Sequence, residues 1–132
     1  MPRGPIYLLD LPGYGYARAP KVERAGFAAL VRHVLSRQRL AGVVWLLDVR
    51  HDPNRGDLEM QDLLAGERNR VLAAVTKSDK VSRARAREQA VALRRSLGLD
   101  EDQLVVTSAS SREGIEELRD AVVALVATGP RP

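Results

Sequence analysis

Short continuous runs of apolar residues alternate with longer stretches of helical periodicity along the chain. The runs predict β-strands buried on both faces, because they lack the every-second-residue alternation of a half-exposed strand. These strands are predicted over residues 6–10, 42–48, 71–79 and 103–110. Apolar positions three and four residues apart predict helices over residues 21–38, 56–67, 82–96 and 113–127. The alternation predicts an α/β fold, in which helices flank a parallel sheet of about four strands.

The same pattern gives more local expectations. The four strands are expected to lie side by side in chain order, with residues 6–10 paired directly to residues 42–48. Ser82 is expected to cap the amino terminus of the third helix, and Gly98 to follow its last turn. Residues 1–127 are expected to form one domain, and residues 128–132 a short tail.

Composition excludes several classes of protein. The chain has 132 residues and no cysteine, which excludes disulfides and thiolate metal sites. Its two histidines, His33 and His51, are far apart in sequence, so no zinc site is expected. No apolar run approaches the ~20 residues that a membrane span needs, and the first residues lack the pattern of a signal peptide. A cytoplasmic protein without a membrane partner is the simplest interpretation.

The charge leaves two alternatives open. The formal net charge is +4 and the isoelectric point about 10.0. Arginines are concentrated in the predicted helix over residues 82–96. They form either a solvated surface or a surface that contacts RNA. No aromatic residue is interleaved with these arginines, so stacking on bases is not indicated.

Polar residues gather where the predicted strands end. Asp10 and Asp48 end the first two strands, "TKSD" (76–79) ends the third, and "SAS" (108–110) ends the fourth. Ligands of open α/β sheets bind beyond the carboxyl ends of the strands, which makes this edge the candidate site.

The sequence "TKSD" suits a guanine base. The carboxylate of Asp79 can accept two parallel N–H bonds from the edge of guanine, and the methylenes of Lys77 can cover its flat face. The alternative is an ordinary surface turn in which Asp79 is a local cap.

Two further motifs favour a nucleotide. In "DLPG" (10–13), Asp10 can hold a water bound to Mg²⁺, and Gly13 allows a backbone N–H to approach a γ-phosphate. Backbone N–H groups of "SAS" can bind a purine oxygen. The order and strand context of the three motifs together favour a guanine nucleotide.

The segments "DLPGYGYA", "LLDVRHDP", "TKSDK" and "VVTSAS" followed by "GIEELR" resemble the EngB family, a group of P-loop GTPases related to TrmE, Era, EngA and septins. The resemblance covers residues 6 to about 126. It implies GTP or GDP and Mg²⁺ as ligands, slow GTP hydrolysis, a role in assembly of the large ribosomal subunit, and a link to cell division and septation. The nucleotide-binding residues that it implies are Asp10, Pro12, Gly13, Thr76, Lys77, Ser78, Asp79, Thr107, Ser108 and Ala109.

The chain also departs from that family. It contains no G-x-x-x-x-G-K-[ST] motif and no Gly-Lys pair, and Tyr14 stands where many GTPases have a glutamine. It is therefore expected to be an incomplete G domain, similar to the carboxyl-terminal two-thirds of one, that does not hydrolyse GTP. The alternative function is a non-hydrolysing module that binds RNA or the ribosome and retains the G-domain fold. The expected partners are a guanine nucleotide and the large ribosomal subunit or its RNA.

Overall fold

The computed structural model describes residues 4–11, 21–66 and 70–129. Within these ranges the chain forms four α-helices, three β-strands and two short 3₁₀ turns. The helices are α1 (Lys21–Leu35), α2 (Arg55–Gly66), α3 (Arg83–Ser96) and α4 (Ile115–Ala127). The strands are β1 (Val43–Asp48), β2 (Val71–Thr76) and β3 (Leu104–Val106). The 3₁₀ turns are Ser78–Lys80 and Glu101–Gln103.

The three strands form one parallel sheet in the order β1-β2-β3. Asp48 is the register partner of Thr76, and Val75 is the partner of Val106. All three strands therefore end at the same edge of the sheet. The predicted fold class, a parallel sheet flanked by helices, is confirmed.

The predicted strand over residues 6–10 is wrong, and so is its pairing with residues 42–48. Residues 5–11 form no strand, and β1 pairs only with β2 among the described residues. Tyr7 and Leu8 are 86% and 82% exposed, whereas a doubly buried strand would cover both. An apolar run becomes a strand only when a neighbouring backbone completes its hydrogen bonds. No described strand does so here.

The core lies on one face of the sheet. Trp45, Leu47 and Val75 point to this face and belong to one buried cluster. Helices α1, α2 and α3 contribute six further residues to that cluster, namely Val31, Leu35, Met60, Leu64, Ala86 and Leu93. On the other face of β1, Leu46 remains 64% exposed. The sheet is thus covered more completely on one side than on the other.

The ends of the elements differ from the predictions where the backbone turns sharply. Strand β2 stops at Thr76, because Lys77 adopts a left-handed conformation at φ 63°. Strand β3 stops at Val106 rather than continuing to residue 110. At α3 both predictions are confirmed: Ser82 Oγ accepts a hydrogen bond from the Arg85 N–H, and Gly98 has φ +63°.

Candidate functional site

The candidate site lies at the carboxyl edge of the sheet, where two loops meet. We call residues 77–80, which follow β2, the first loop, and residues 107–114, which follow β3, the second loop. Because β2 and β3 are neighbours, their loops leave the sheet side by side. The Thr107 N–H extends the pairing by donating to the Val75 carbonyl at 2.7 Å, and the Ser78 N–H donates to the Thr107 carbonyl at 3.1 Å.

The contact between Asp79 and Ser108 joins the two loops. The Ser108 hydroxyl donates to Asp79 Oδ1 at 2.8 Å, and this hydrogen bond lowers the pKa of Asp79 below its ordinary value of 3.8. Ser108 is fully buried, whereas the Asp79 side chain is 22% exposed. A carboxylate oxygen has two lone pairs, so Asp79 can still accept bonds from a ligand. The arrangement presents an ionised, oriented carboxylate at the surface.

A second contact between the loops comes from a residue outside the predicted site. The buried Ser78 donates from its hydroxyl to Glu113 Oε2 at 2.9 Å. The Glu113 carbonyl also accepts from the Ser108 N–H at 3.0 Å. Glu113 therefore connects both loops, through its side chain on one side and its backbone on the other.

The backbone contacts distinguish between the two residues predicted to bind a purine oxygen. The N–H of Ser108 is already used by Glu113. The N–H of Ala109 donates to no described residue. Of the pair, Ala109 therefore offers the available backbone donor, whereas Ser108 contacts Asp79 through its hydroxyl.

Lys77 lies beside a charged pair that follows β1. Asp48 Oδ2 accepts from Arg50 Nη2 at 2.7 Å and lies 3.4 Å from Lys77 Nζ. Asp48 Oδ1 accepts from the Arg50 backbone N–H at 2.9 Å and from Arg50 Nε at 3.0 Å. The Arg50 side chain lowers the pKa of Asp48 strongly. Asp48 thus caps the turn after β1 and also pairs with the end of the Lys77 side chain.

The structure brings together six of the predicted residues and places a seventh beside them. Ser78, Asp79, Thr107 and Ser108 are linked by hydrogen bonds between the two loops. Lys77 precedes them in the first loop, and Thr76, the last residue of β2, donates from its hydroxyl to the Leu47 carbonyl at 3.3 Å. Ala109 follows in the same loop. Asp10 is exposed and makes no hydrogen bond or ion pair with a described residue, and Pro12 and Gly13 lie outside the described ranges, as do Tyr14 and Gly15.

Sequence reasoning missed Glu113, Arg50 and Gln89. The buried Gln89 of α3 donates from Nε2 to the His51 carbonyl at 2.9 Å and to Asp52 Oδ1 at 3.0 Å. It thereby connects α3 to the loop after β1. A single glutamine or glutamate in a polar stretch carries no periodic signal, so only the fold reveals these contacts.

Two other kinds of feature are absent from the described ranges. No group of three or more histidine, aspartate or glutamate side chains could hold a metal ion there. No described helix is both long and apolar enough to cross a membrane.

Comparison with known sequences identifies relatives over most of the chain. It is 46% identical over 121 residues to a "Probable GTP-binding protein EngB" of Gemmatimonas aurantiaca, covering 91% of this chain and 59% of that protein. It is 42% identical over 121 residues to the protein of the same name from Syntrophomonas wolfei, covering 91% of this chain and 62% of that protein. The chain thus spans about three-fifths of the length of these curated relatives. No protein-family model matches it.

Solved structures share the fold. A crystal structure of a probable GTP-binding protein engB superposes with a TM-score of 0.74 and 20% sequence identity, covering 89% of this chain and 75% of that one. The translation elongation factor SelB of Methanococcus maripaludis, in its apo form, gives a TM-score of 0.71 at 18% identity, covering 92% of this chain and 25% of that one. At these identities the likeness concerns the fold alone.

Proposed function

We propose that the chain belongs to the EngB family over the residues that it matches, and that it binds guanine nucleotides at the carboxyl edge of its sheet. The observation that carries the proposal is the hydrogen bond between Asp79 and Ser108. It joins the two loops that would surround the base and holds a charged carboxylate toward solvent.

Three of the predicted residues would contact the base directly in this proposal. Asp79 accepts two N–H bonds from the Watson–Crick edge of guanine, a pair of donors that adenine does not offer. Ala109 donates its N–H to the guanine oxygen. The stem of Lys77 covers the face of the base, and its 54% exposed side chain has room to do so.

The phosphate side of the site rests on Asp10, Pro12 and Gly13. Asp10 would bind Mg²⁺ through a water molecule, and its exposed carboxylate has the hard oxygen ligands that Mg²⁺ prefers. When bound, the ion would neutralise phosphate charge. Because the sequence has no G-x-x-x-x-G-K-[ST] loop, fewer backbone donors cradle the phosphates, and we expect nucleotide affinity to be weak.

We further propose that the biological setting is the one that the EngB resemblance implies, namely assembly of the large ribosomal subunit with a link to cell division and septation. The second candidate is a non-hydrolysing module that binds RNA or the ribosome. The concentration of arginines on α3 supports this second candidate function.

The test of the main proposal is a titration of the 132-residue chain with fluorescent GDP and fluorescent ADP. We expect saturable GDP binding that is weak but clearly tighter than ADP binding. Equal affinities for the two nucleotides would contradict the proposal and favour the second candidate.

A further inference from the structure

The net charge of helix α3 equals the net charge of the whole chain. The helix has five arginines and one glutamate, a balance of +4, which equals the formal net charge of all 132 residues. The remainder of the chain is therefore neutral overall. A charge so confined produces a local field, unlike the same charge spread over the surface.

Four of the five arginines lie on one side of the helix. At 3.6 residues per turn, Arg83, Arg94, Arg87 and Arg95 fall within an arc of about 120°. We call these four residues the arginine face. Three of them are exposed and Arg94 is half-buried. The core-facing side of the helix is separate from this arc and consists of Ala86, Gln89, Ala90 and Leu93.

The arginine face has no acidic partner among the described residues. The single glutamate of the helix, Glu88, lies 3.8 Å from Arg85 Nη1, and Arg85 is the arginine that lies outside the face. None of the four side chains of the face makes a hydrogen bond or an ion pair with a described residue. Their charges are consequently available to a partner.

We propose that the arginine face is a binding surface for the phosphate backbone of RNA. Arg83 and Arg95 are twelve residues apart, which corresponds to about 18 Å along the helix axis. This length is comparable with a run of several phosphates along one nucleic-acid strand. The amino-terminal end of α3 adds the positive end of the helix dipole on the side of Arg83.

The surface fits RNA better than a membrane. A helix that lies on a bilayer needs a wide apolar face beside its cations. The only large apolar side chain exposed on α3 is Val91, at 41%. The helix also has no aromatic residue on which a base could stack. Recognition should accordingly follow phosphate charge and be insensitive to base sequence.

The proposal does not rest on nucleotide binding, and the two can be tested separately. The probe is a fluorescein-labelled single-stranded RNA, followed by anisotropy with the full 132-residue chain. Four arginine–phosphate contacts predict a fall in affinity of about fiftyfold between 50 and 200 mM salt. Labelled oligo(U) and oligo(A) of equal length should bind with similar affinity.

The decisive variant is Arg83→Gln, Arg87→Gln, Arg94→Gln and Arg95→Gln together. The matched control changes four exposed arginines elsewhere to glutamine, namely Arg32, Arg37, Arg39 and Arg119. We expect the first variant to lose at least about tenfold in RNA affinity and most of its salt dependence, and the control to change little. GDP binding should be the same in both.

Three results would overturn the proposal. One is equal RNA affinity of the two variants, which would assign binding to overall charge. Another is RNA binding that is undetectable in the wild-type chain at low salt. The third is binding of the wild-type chain to phosphatidylserine vesicles, lost in the α3 variant, without RNA binding. If the wild-type chain binds RNA but not GDP, the proposed function is contradicted and the proposal for the arginine face is not.

Discussion

Ser78 Oγ and Glu113 Oε2 are hydrogen-bonded at 2.9 Å across the two loops of the candidate site, although the residues are 35 positions apart in the chain. Ser78 is buried, so its hydroxyl has little access to water. Loss of either partner leaves the other without this contact and loosens the loop that presents Asp79. Glu113 is therefore a positioning residue in the proposed site.

A double-mutant cycle tests this role. Ser78→Ala and Glu113→Ala should each weaken GDP binding about fivefold, the effect of one hydrogen bond of about 1 kcal/mol. The double variant should be no weaker than the single ones, because they remove the same contact. Glu116→Ala is the matched control, since Glu116 is exposed and its side chain makes no hydrogen bond or ion pair with a described residue. Additive losses in the cycle would show that the two side chains act independently.

Asp79→Asn tests base recognition. The amide places a donor where the carboxylate had an acceptor, so the preference for GDP over ADP should fall about tenfold or more. The same variant should gain affinity for XDP, whose base has an oxygen at the position of the guanine amino group. Titration with fluorescent GDP, XDP and ADP measures all three affinities. A GDP preference that is unchanged in Asp79→Asn would refute the assignment of this carboxylate.

Asp48→Asn should destabilise the fold in a pH-dependent way. The pKa of Asp48 is lowered in the folded protein, so its ionised form stabilises the fold above the ordinary pKa of 3.8, and this stabilisation is lost as pH falls below that value. At pH 7 we expect a loss of about 1 kcal/mol, or roughly 4 °C in Tm. The difference from the wild type should be smaller at pH 3 than at pH 7, because it begins to shrink only as pH falls below about 4.

Thermal unfolding monitored by circular dichroism across this pH range measures the effect. Asp62→Asn changes an exposed aspartate of α2 that makes no ion pair with a described residue, so this control should be nearly neutral. A destabilisation by Asp48→Asn that is equal at pH 7 and pH 3 would contradict the role of the ion pair.

Gly114→Ala should be strongly destabilising. Gly114 has φ +69°, and a Cβ there would lie 2.0 Å from the Val106 carbonyl oxygen. The Val106 backbone cannot move aside as a flexible side chain can. We therefore expect the free energy of unfolding to fall by about 3 kcal/mol and Tm by roughly 10 °C. Gly66→Ala is the matched control, because its Cβ would meet nothing within 4 Å and the residue ends a helix. Similar Tm values for both variants would show that the second loop is not constrained at Gly114.

The 132-residue chain should not hydrolyse GTP. Its sequence contains no G-x-x-x-x-G-K-[ST] motif, whose lysine and hydroxyl normally contact the phosphates and Mg²⁺. Phosphate release should equal that of a sample without protein. Release above that level that disappears in Asp10→Ala would contradict this expectation.

The meeting of the two loops could be predicted from the sequence, because parallel strands end at one edge of a sheet and carry their following residues with them. Thr76–Asp79 and Ser108 were predicted from motif and strand order alone. The contacts of Glu113 and Arg50 could not be, because they depend on backbone turns: Arg112 and Gly114 both have positive φ in the loop that positions Glu113.

Residues 6–10 show the opposite outcome. Their composition is typical of a buried strand, yet burial is a property of neighbours as well as of side chains. The runs of β1 and β2 have a partner, and the run at residues 6–10 has none among the described residues. A local pattern therefore predicted strand propensity correctly only where the tertiary structure supplied a second backbone.

The central position of β2 has a consequence for the timescale on which the candidate site comes apart. Leu72, Ala73, Ala74 and Val75 are all buried, and the Val75 carbonyl accepts from both the N–H and the hydroxyl of Thr107. Amide hydrogens in such a strand exchange with solvent only when most of the domain unfolds, which is rare. Amide hydrogens at helix ends and in exposed segments exchange through frequent local unfolding. The first loop continues directly from this strand. Fraying of α1 or α4 would consequently leave Asp79 anchored, and the base-recognition end of the site would be among the last parts of the molecule to open.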